Sequence, residues 1–428
     1  MNGKPHVISI AAVSGAGKHH NEWQKTGRRC GMTDPKIFLA VDNCVFSKRW
    51  TRPAEWMNLL SAMGVYYVEA SADNECDPLY MGMDYMQRWA QEVKTASEHT
   101  GVKVANIYSG HGTYATLGLA HHDIAVRERI QNEWIKPLAD IAANVGAGIG
   151  FYCHAFSDNI LQNPAVYRET EEDLYTRLAD IAVYCQAKGI HTPGVEQMYT
   201  PHQIPWTIEG SKRLLKEVFR VSQAPFYLTL DTGHQSGQRK FLRPDPPIIK
   251  EMVNRFRIKG YQNSFWVGSN SAYGLFQQLI HTTEDQEIAM MEQILQEIDR
   301  YPYLFAAESD GDTYRWLEEL GCYSPIVHLQ QTTGTSSSHQ PFTEACNRKG
   351  IIFGEPVLRA LEKAYQTPDE EGFPPKCKEI YLTLEIFSGT SEMNNDIRKK
   401  LEDSIDYWRQ FIPEDGLSLS EILKPLNR

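Results

Sequence analysis

Four short apolar runs in the second half of the chain each deliver a metal-ligating side chain at their end. They are PGVEQMY at Glu196, FYLTLDTGH at Asp231 and His234, PIVHLQQ at His328, and IYLTLEIF at Glu385. An apolar run of this length, bounded by turn residues, reads as a strand buried on both faces. One polar residue at the end of such a strand is ordinary. Four in succession would bury four polar groups at a cost, unless they share a partner. The pattern points to strands ending around one divalent cation at the C-terminal mouth of a (β/α)8 barrel, where this fold carries its chemistry.

The rest of the chain supplies the other units. Strands are expected at Lys36–Asp42, Val65–Ala70, Val102–Tyr108, Gly148–Cys153, Thr192–Met198, Phe226–Asp231, Pro325–Gln330 and Glu379–Ile386. Helical patterns fall between them at Pro53–Met63, Met83–Glu98, Ala125–Asn144, Glu171–Lys188, Ile208–Val221 and Thr313–Leu320, with a last one at Asn394–Phe411. Strands alternating with helices imply parallel pairing through right-handed crossovers. The rhythm breaks once. Gln235 to Glu308, at about 235–308, is too long for one crossover and reads as an insertion after strand six, with helices at Pro247–Arg257 and Thr283–Ile298. Between them YQNSFWVGSNSAYG is rich in turn residues and aromatics. An insertion on a βα loop lies over the active face, which makes it a candidate lid carrying Trp266 or Tyr273 towards a ligand; the alternative is an outward pair of helices for contacts between copies.

The expected organisation is a leader over residues 1–31 outside the fold and one barrel domain over 32–428. The leader HVISIAAVSGAGKHH imitates a phosphate-binding loop, but Ala12 stands at the first Gly position and His19 at the Ser/Thr position. The segment is therefore expected to be dispensable. The net charge of −11 argues against a nucleic-acid partner. No apolar run approaches the roughly 18 residues needed to span a bilayer. Eight cysteines without a CxxC pair suggest reduced thiols and a cytoplasmic protein.

A carboxylate-rich set with one histidine suits Mn²⁺, Mg²⁺, Co²⁺ or Zn²⁺ and leans away from a structural zinc site. Glu196, Asp231, His328 and Glu385 are the expected ligands of one ion. The candidates for contact with a substrate are His234, His154, His111, His202 and Trp266. A lone histidine after a strand is more often a hydrogen-bonded structural residue, and that plainer reading applies to His111, His154 and His202, and equally to Glu69.

On these runs the chain resembles the sugar isomerase/epimerase family with the xylose-isomerase-like TIM barrel, the AP endonuclease family 2 group. The family includes ketose 3-epimerases, hydroxypyruvate isomerase, inosose dehydratases and the endonuclease IV branch. The resemblance covers most of Pro35 to Phe411 outside the insertion. It implies a metal held by Glu on strand five, Asp on strand six, His on strand seven and Glu on strand eight, roles that fall on Glu196, Asp231, His328 and Glu385. The family's Asp-x-x-His element is matched by Asp231-Thr232-Gly233-His234, whose histidine would contact a substrate oxygen. Two sugar-reading positions depart: a second Glu is replaced by His202 and an Arg by Gly334, and TTGTSSSHQPF puts hydroxyls and His339 in that loop.

The resemblance implies an isomerase or epimerase acting on a small ketose, sugar phosphate or sugar acid through a metal-stabilised cis-enediolate. Glu196 and Glu385 would be the acid/base pair. The same residues would serve a decarboxylase or dehydratase of an oxo-sugar acid. An endonuclease IV-like phosphodiesterase would need three zinc ions and further ligands, for which Glu69, His111 and His154 are the candidates. The expected partner is a small sugar or sugar phosphate, with no nucleic acid and no membrane, in a homo-oligomer.

Overall fold

The computed structural model describes residues 33–110, 116–260 and 265–427. The leader and His111 lie outside the described residues. Eight parallel strands close on themselves: β1 Lys36–Asp42, β2 Tyr67–Ser71, β3 Lys103–Ser109, β4 Gly148–Phe151, β5 Pro193–Glu196, β6 Tyr227–Asp231, β7 Ile326–Leu329 and β8 Glu379–Leu384. Each pairs with the next, and β1 pairs with both β8 and β2. All eight fall where the apolar runs place them. A two-residue strand, β9 Leu417–Ser418, runs antiparallel to Lys36 and Ile37, below the point where β2 joins β1 at Ala40. It covers an edge that β2 leaves open, and nothing in its two residues announces it.

Register decides what the barrel interior holds. Side chains alternate across a strand, so residues paired laterally share a face. Glu196 pairs with Thr229, Asp231 with His328, and His328 with Thr383. Glu385 lies two residues beyond Thr383 and so shares that face. On β3 and β4, Asn106 pairs with Gly148 and Tyr108 with Gly150. A Cβ on Gly148 would approach Asn106 Oδ1 to 2.8 Å, and one on Gly150 would approach Tyr108 Cδ2 to 3.1 Å. The glycines of β4 therefore make room for the polar side chains of β3. Between β2 and β3 the register slips: Val68 pairs with Val104 but Glu69 with Asn106, leaving Ala105 as an extra residue. Such bulges re-aim side chains, and Glu69 and Asn106 meet at 2.6 Å.

The helices pack outside. Trp56, Trp316 and Trp408, each fully buried, pin three of them into the hydrophobic core; truncating such a residue to Ala costs roughly 3–5 kcal/mol. The helix expected from Glu171 starts earlier, at Pro164, because Asn163 accepts from the amides of Ala165 and Val166 and Pro164 occupies the first turn. A helix over Gly354–Gln366 joins β7 to β8. Among the described residues no helix is long and apolar enough to cross a membrane.

The insertion holds three long helices rather than two: Pro246–Lys259, Asn270–Ile280 and Glu284–Asp299. The turn residues before Asn270 are a helix start, with Ser269 Oγ accepting from the amide of Ala272 at 3.1 Å. Trp266, expected near a substrate, does not line the cavity beside the candidate metal-ligating strand ends. Its indole donates to the Leu304 carbonyl at 2.7 Å, and its ring stands edge-on to Phe241 at 5.0 Å, so it packs within the insertion itself. Tyr273 is also turned inward, donating to the Phe265 carbonyl at 2.9 Å.

Candidate metal centre

The strand ends bring Glu196, Asp231, His328 and Glu385 together. One ligand atom from each lies within 4.8 Å of all the others, and all four side chains are buried. His328 is the hub. Its Nδ1 faces Glu196 Oε1 at 3.0 Å and Glu385 Oε2 at 3.5 Å, while its Nε2 turns to Glu69 Oε2 at 2.7 Å. A histidine ligand commonly has its second nitrogen fixed by a carboxylate, which sets the ring's orientation and raises its basicity. Glu69 is placed to do this, and its other oxygen accepts from Asn106. Glu69→Gln is expected to weaken metal affinity by about 10–100-fold without removing a ligand; a metal titration followed by calorimetry checks it.

The other three side chains of the quartet are held as firmly. Glu196 accepts from the Tyr108 hydroxyl. Asp231 Oδ1 accepts from the amides of Gly233 at 2.6 Å and His234 at 3.1 Å, and both its oxygens accept from Gln330 Nε2 at 2.9 and 3.0 Å. Burial pushes Asp231 up, yet His234, His339 and His328 together pull it down to about 2. Burial disfavours the charged form of His328, but Glu385 and Glu69 raise it well above the usual imidazole value. Glu385 is raised by its burial, and Asp42 well above the carboxylate range by burial and by Glu69 and Glu385. Glu385 Oε2 is enclosed without a hydrogen bond. Buried carboxylates that outnumber their cationic neighbours, with one oxygen unsatisfied, fit a bound divalent cation, which would supply the missing charge. The donor set, three carboxylates and one imidazole, suits the same ion class.

A cavity of about 320 Å³ opens beside the quartet. Glu196, Glu385 and His234 line it, with Tyr108, Asp73 and His339. His234 is fixed by its Nδ1, which donates to the Gln197 carbonyl at 2.6 Å. A larger cavity of about 560 Å³ lies elsewhere, bounded by Tyr167, Trp206 and Tyr303. It contains none of the quartet, so size does not identify the chemical site here.

Three candidates for substrate contact are not brought to the smaller cavity. His154 is fully buried with Nε2 2.5 Å from the Ile204 carbonyl, and burial drives it down to about 4, so it is neutral. His202 is exposed, and its Nδ1 lies 2.9 Å from the Phe156 carbonyl. Both tie loops together, and Trp266 sits in the insertion. Sequence reading missed Tyr108, Asp73 and Phe387 as cavity residues. The period-two register of β3 carries a signal for Tyr108; Phe387 lies two residues after Glu385. Gly334 adopts φ +81°, and Arg239 donates to its carbonyl at 3.0 Å from an exposed position outside the cavity.

A family model described as a xylose isomerase-like TIM barrel matches residues 57–265. The closed barrel of eight parallel strands agrees with that model. It is similar to the D-erythrulose 1-phosphate 3-epimerase of Brucella abortus, with 28% identity over 331 residues, 76% of this chain and 81% of that protein. Among solved structures it is similar to a candidate xylose isomerase from Rhodospirillum rubrum, at a TM-score of 0.61 and 16% identity, covering 87% of this chain and 99% of the other. It is also similar to a D-psicose 3-epimerase from Clostridium cellulolyticum with D-tagatose, at 0.50 and 11%, covering 88% and 98%. At these identities the two structures speak for the barrel fold alone.

Proposed function

We propose that this xylose isomerase-like barrel is a divalent-metal-dependent isomerase or epimerase of a small ketose, sugar phosphate or sugar acid. One observation carries the reading: two buried carboxylates, Glu196 and Glu385, come from well-separated strands of the barrel and line one small cavity beside Asp231 and His328. The relative in Brucella abortus, named as a ketose phosphate epimerase, supports the same class of substrate. At about 320 Å³ the cavity falls at the low end of small-molecule sites, roughly 300–1,000 Å³, which suits a small sugar over a polymer.

An ion held by Glu196, Asp231, His328 and Glu385 would supply Lewis acidity that weakens a C–H bond beside a carbonyl. The chain's own groups do the rest. One of the two glutamates removes the proton from that carbon, and the electron pair moves onto the carbonyl to give an enediolate. The other returns a proton. Return to the opposite face of the same carbon inverts it; return at the adjacent carbon isomerises. The Tyr108 hydroxyl holds Glu196, while His234, fixed through its Nδ1, presents its other ring nitrogen near Asp231, at 3.9 Å, to meet a substrate oxygen.

The three-zinc phosphodiesterase reading has no support among the described residues. His154 is committed to Ile204, and the described residues offer one convergent ligand group. A panel of ketoses, ketose phosphates and oxo-sugar acids, followed by chiral chromatography, tests the proposal. Inversion or isomerisation supports it. Release of CO2 or water would move the site to a decarboxylase or dehydratase, and cleavage of an abasic duplex would overturn the sugar reading.

A further inference from the structure

We propose that His339 is a positioning residue for Glu385, holding that carboxylate in place for proton transfer; the inference rests on the acid/base reading of Glu385 given above. His339 belongs to the loop after β7, whereas Glu385 follows β8. Its Nδ1 lies 3.2 Å from Glu385 Oε2 as an ion-pair contact, and neither atom makes a hydrogen bond. A carboxylate oxygen without a fixed donor can swing between rotamers, and small misplacement of a reacting group costs rate steeply. The imidazole supplies a fixed ion-pair partner on that oxygen.

Three further features show a side chain built into its position. The His339 backbone has φ +44°, a region that L-residues avoid. Three non-glycine residues among those described share a positive φ. Gln223 caps a helix C-terminus and Lys48 lies in a turn, which leaves His339 as the one that lines the cavity. Such strain persists where the surroundings over-determine it, and it clusters at working sites. The surroundings here are specific. Gln330 Oε1 accepts from the amides of His339 at 2.7 Å and Ser338 at 2.9 Å, while Gln330 Nε2 donates to both oxygens of Asp231. One glutamine side chain thus sets the loop's height relative to the quartet. The imidazole also lies flat on Phe387, with centroids 3.8 Å apart and planes 4° apart. Phe387 is 52% exposed, so core packing does not account for it. Its ring is a platform that aims Nδ1 along the direction of Glu385.

His339→Gly separates this role from a structural one, because glycine relieves the backbone strain while deleting the imidazole. The variant should melt no lower than the wild type and bind metal stoichiometrically, with kcat for solvent-deuterium exchange lowered on the order of 10²-fold and KM within a few-fold. His339→Asn, which tolerates positive φ and keeps an N–H, should recover part of the loss. Phe387→Ala should lower kcat by a smaller factor. Unchanged kcat in His339→Gly overturns the inference. So does an effect on KM alone, which would make His339 a substrate contact, and so does loss of fold or metal, which would make it structural. Absence of exchange by the wild type would instead overturn the reading of the site itself.

Discussion

Glu196→Gln and Glu385→Gln are each expected to lower the rate of solvent-proton exchange into a ketose by about 10²–10⁴-fold, the usual contribution of a general acid or base. The substitution keeps the shape and one acceptor oxygen of each side chain and removes the basic site. Glu196 would retain its contacts with Tyr108 and His328, so the fold should survive. The two variants need not be equally impaired. A site that epimerises in both directions uses each glutamate as base once, so neither should be spared in both directions. Initial rates in D2O, measured from each epimer, give the comparison.

Asp231→Asn and His328→Ala are expected to abolish stoichiometric metal binding. For Asp231 the amides of Gly233 and His234 and the amide of Gln330 already satisfy the side chain, so Asn should leave the loop in place while discarding the charge. His328→Ala removes the hub and leaves Glu69 buried with only Asn106; breaking a buried ionic contact in this way costs about 3–5 kcal/mol. The same electrostatics predict a signature in stability. Chelation of wild-type protein should lower Tm, because buried carboxylates lose their counter-charge, and added Mn²⁺ should restore it. Asp231→Asn should show no response to either treatment. Full metal content in both variants would sink the ligand assignment.

The strands were legible because a parallel barrel buries both faces of each strand, so IFLAVD, FYLTLD and IYLTLEIF stand out as unbroken apolar runs. Strand-end chemistry was legible for the same reason: four charged or imidazole side chains closing such runs in succession need a shared partner. The insertion's middle helix was not, because Gly268-Ser269-Asn270 reads as a turn until the cap is seen to open Asn270–Ile280. His154 and His202 were drawn towards the site by their place after strands, yet the carbonyls of Ile204 and Phe156 each take up one of their ring nitrogens. A hydrogen bond to a backbone carbonyl from a sequence-distant loop has no local pattern. Glu69 and His339 were hidden likewise, since their roles depend on partners 259 residues away at His328 and on the later strand carrying Glu385.

The central claim is that the quartet, loaded with a divalent ion, moves a proton beside a sugar carbonyl. NMR of metal-loaded wild-type protein in D2O with its best ketose or ketose phosphate tests it most directly, run beside chelated protein and Glu385→Gln. The account predicts deuterium at the carbon next to the carbonyl with the loaded enzyme, and none in the other two samples. Deuterium entering at the same rate after complete metal removal, or in Glu385→Gln, would contradict it.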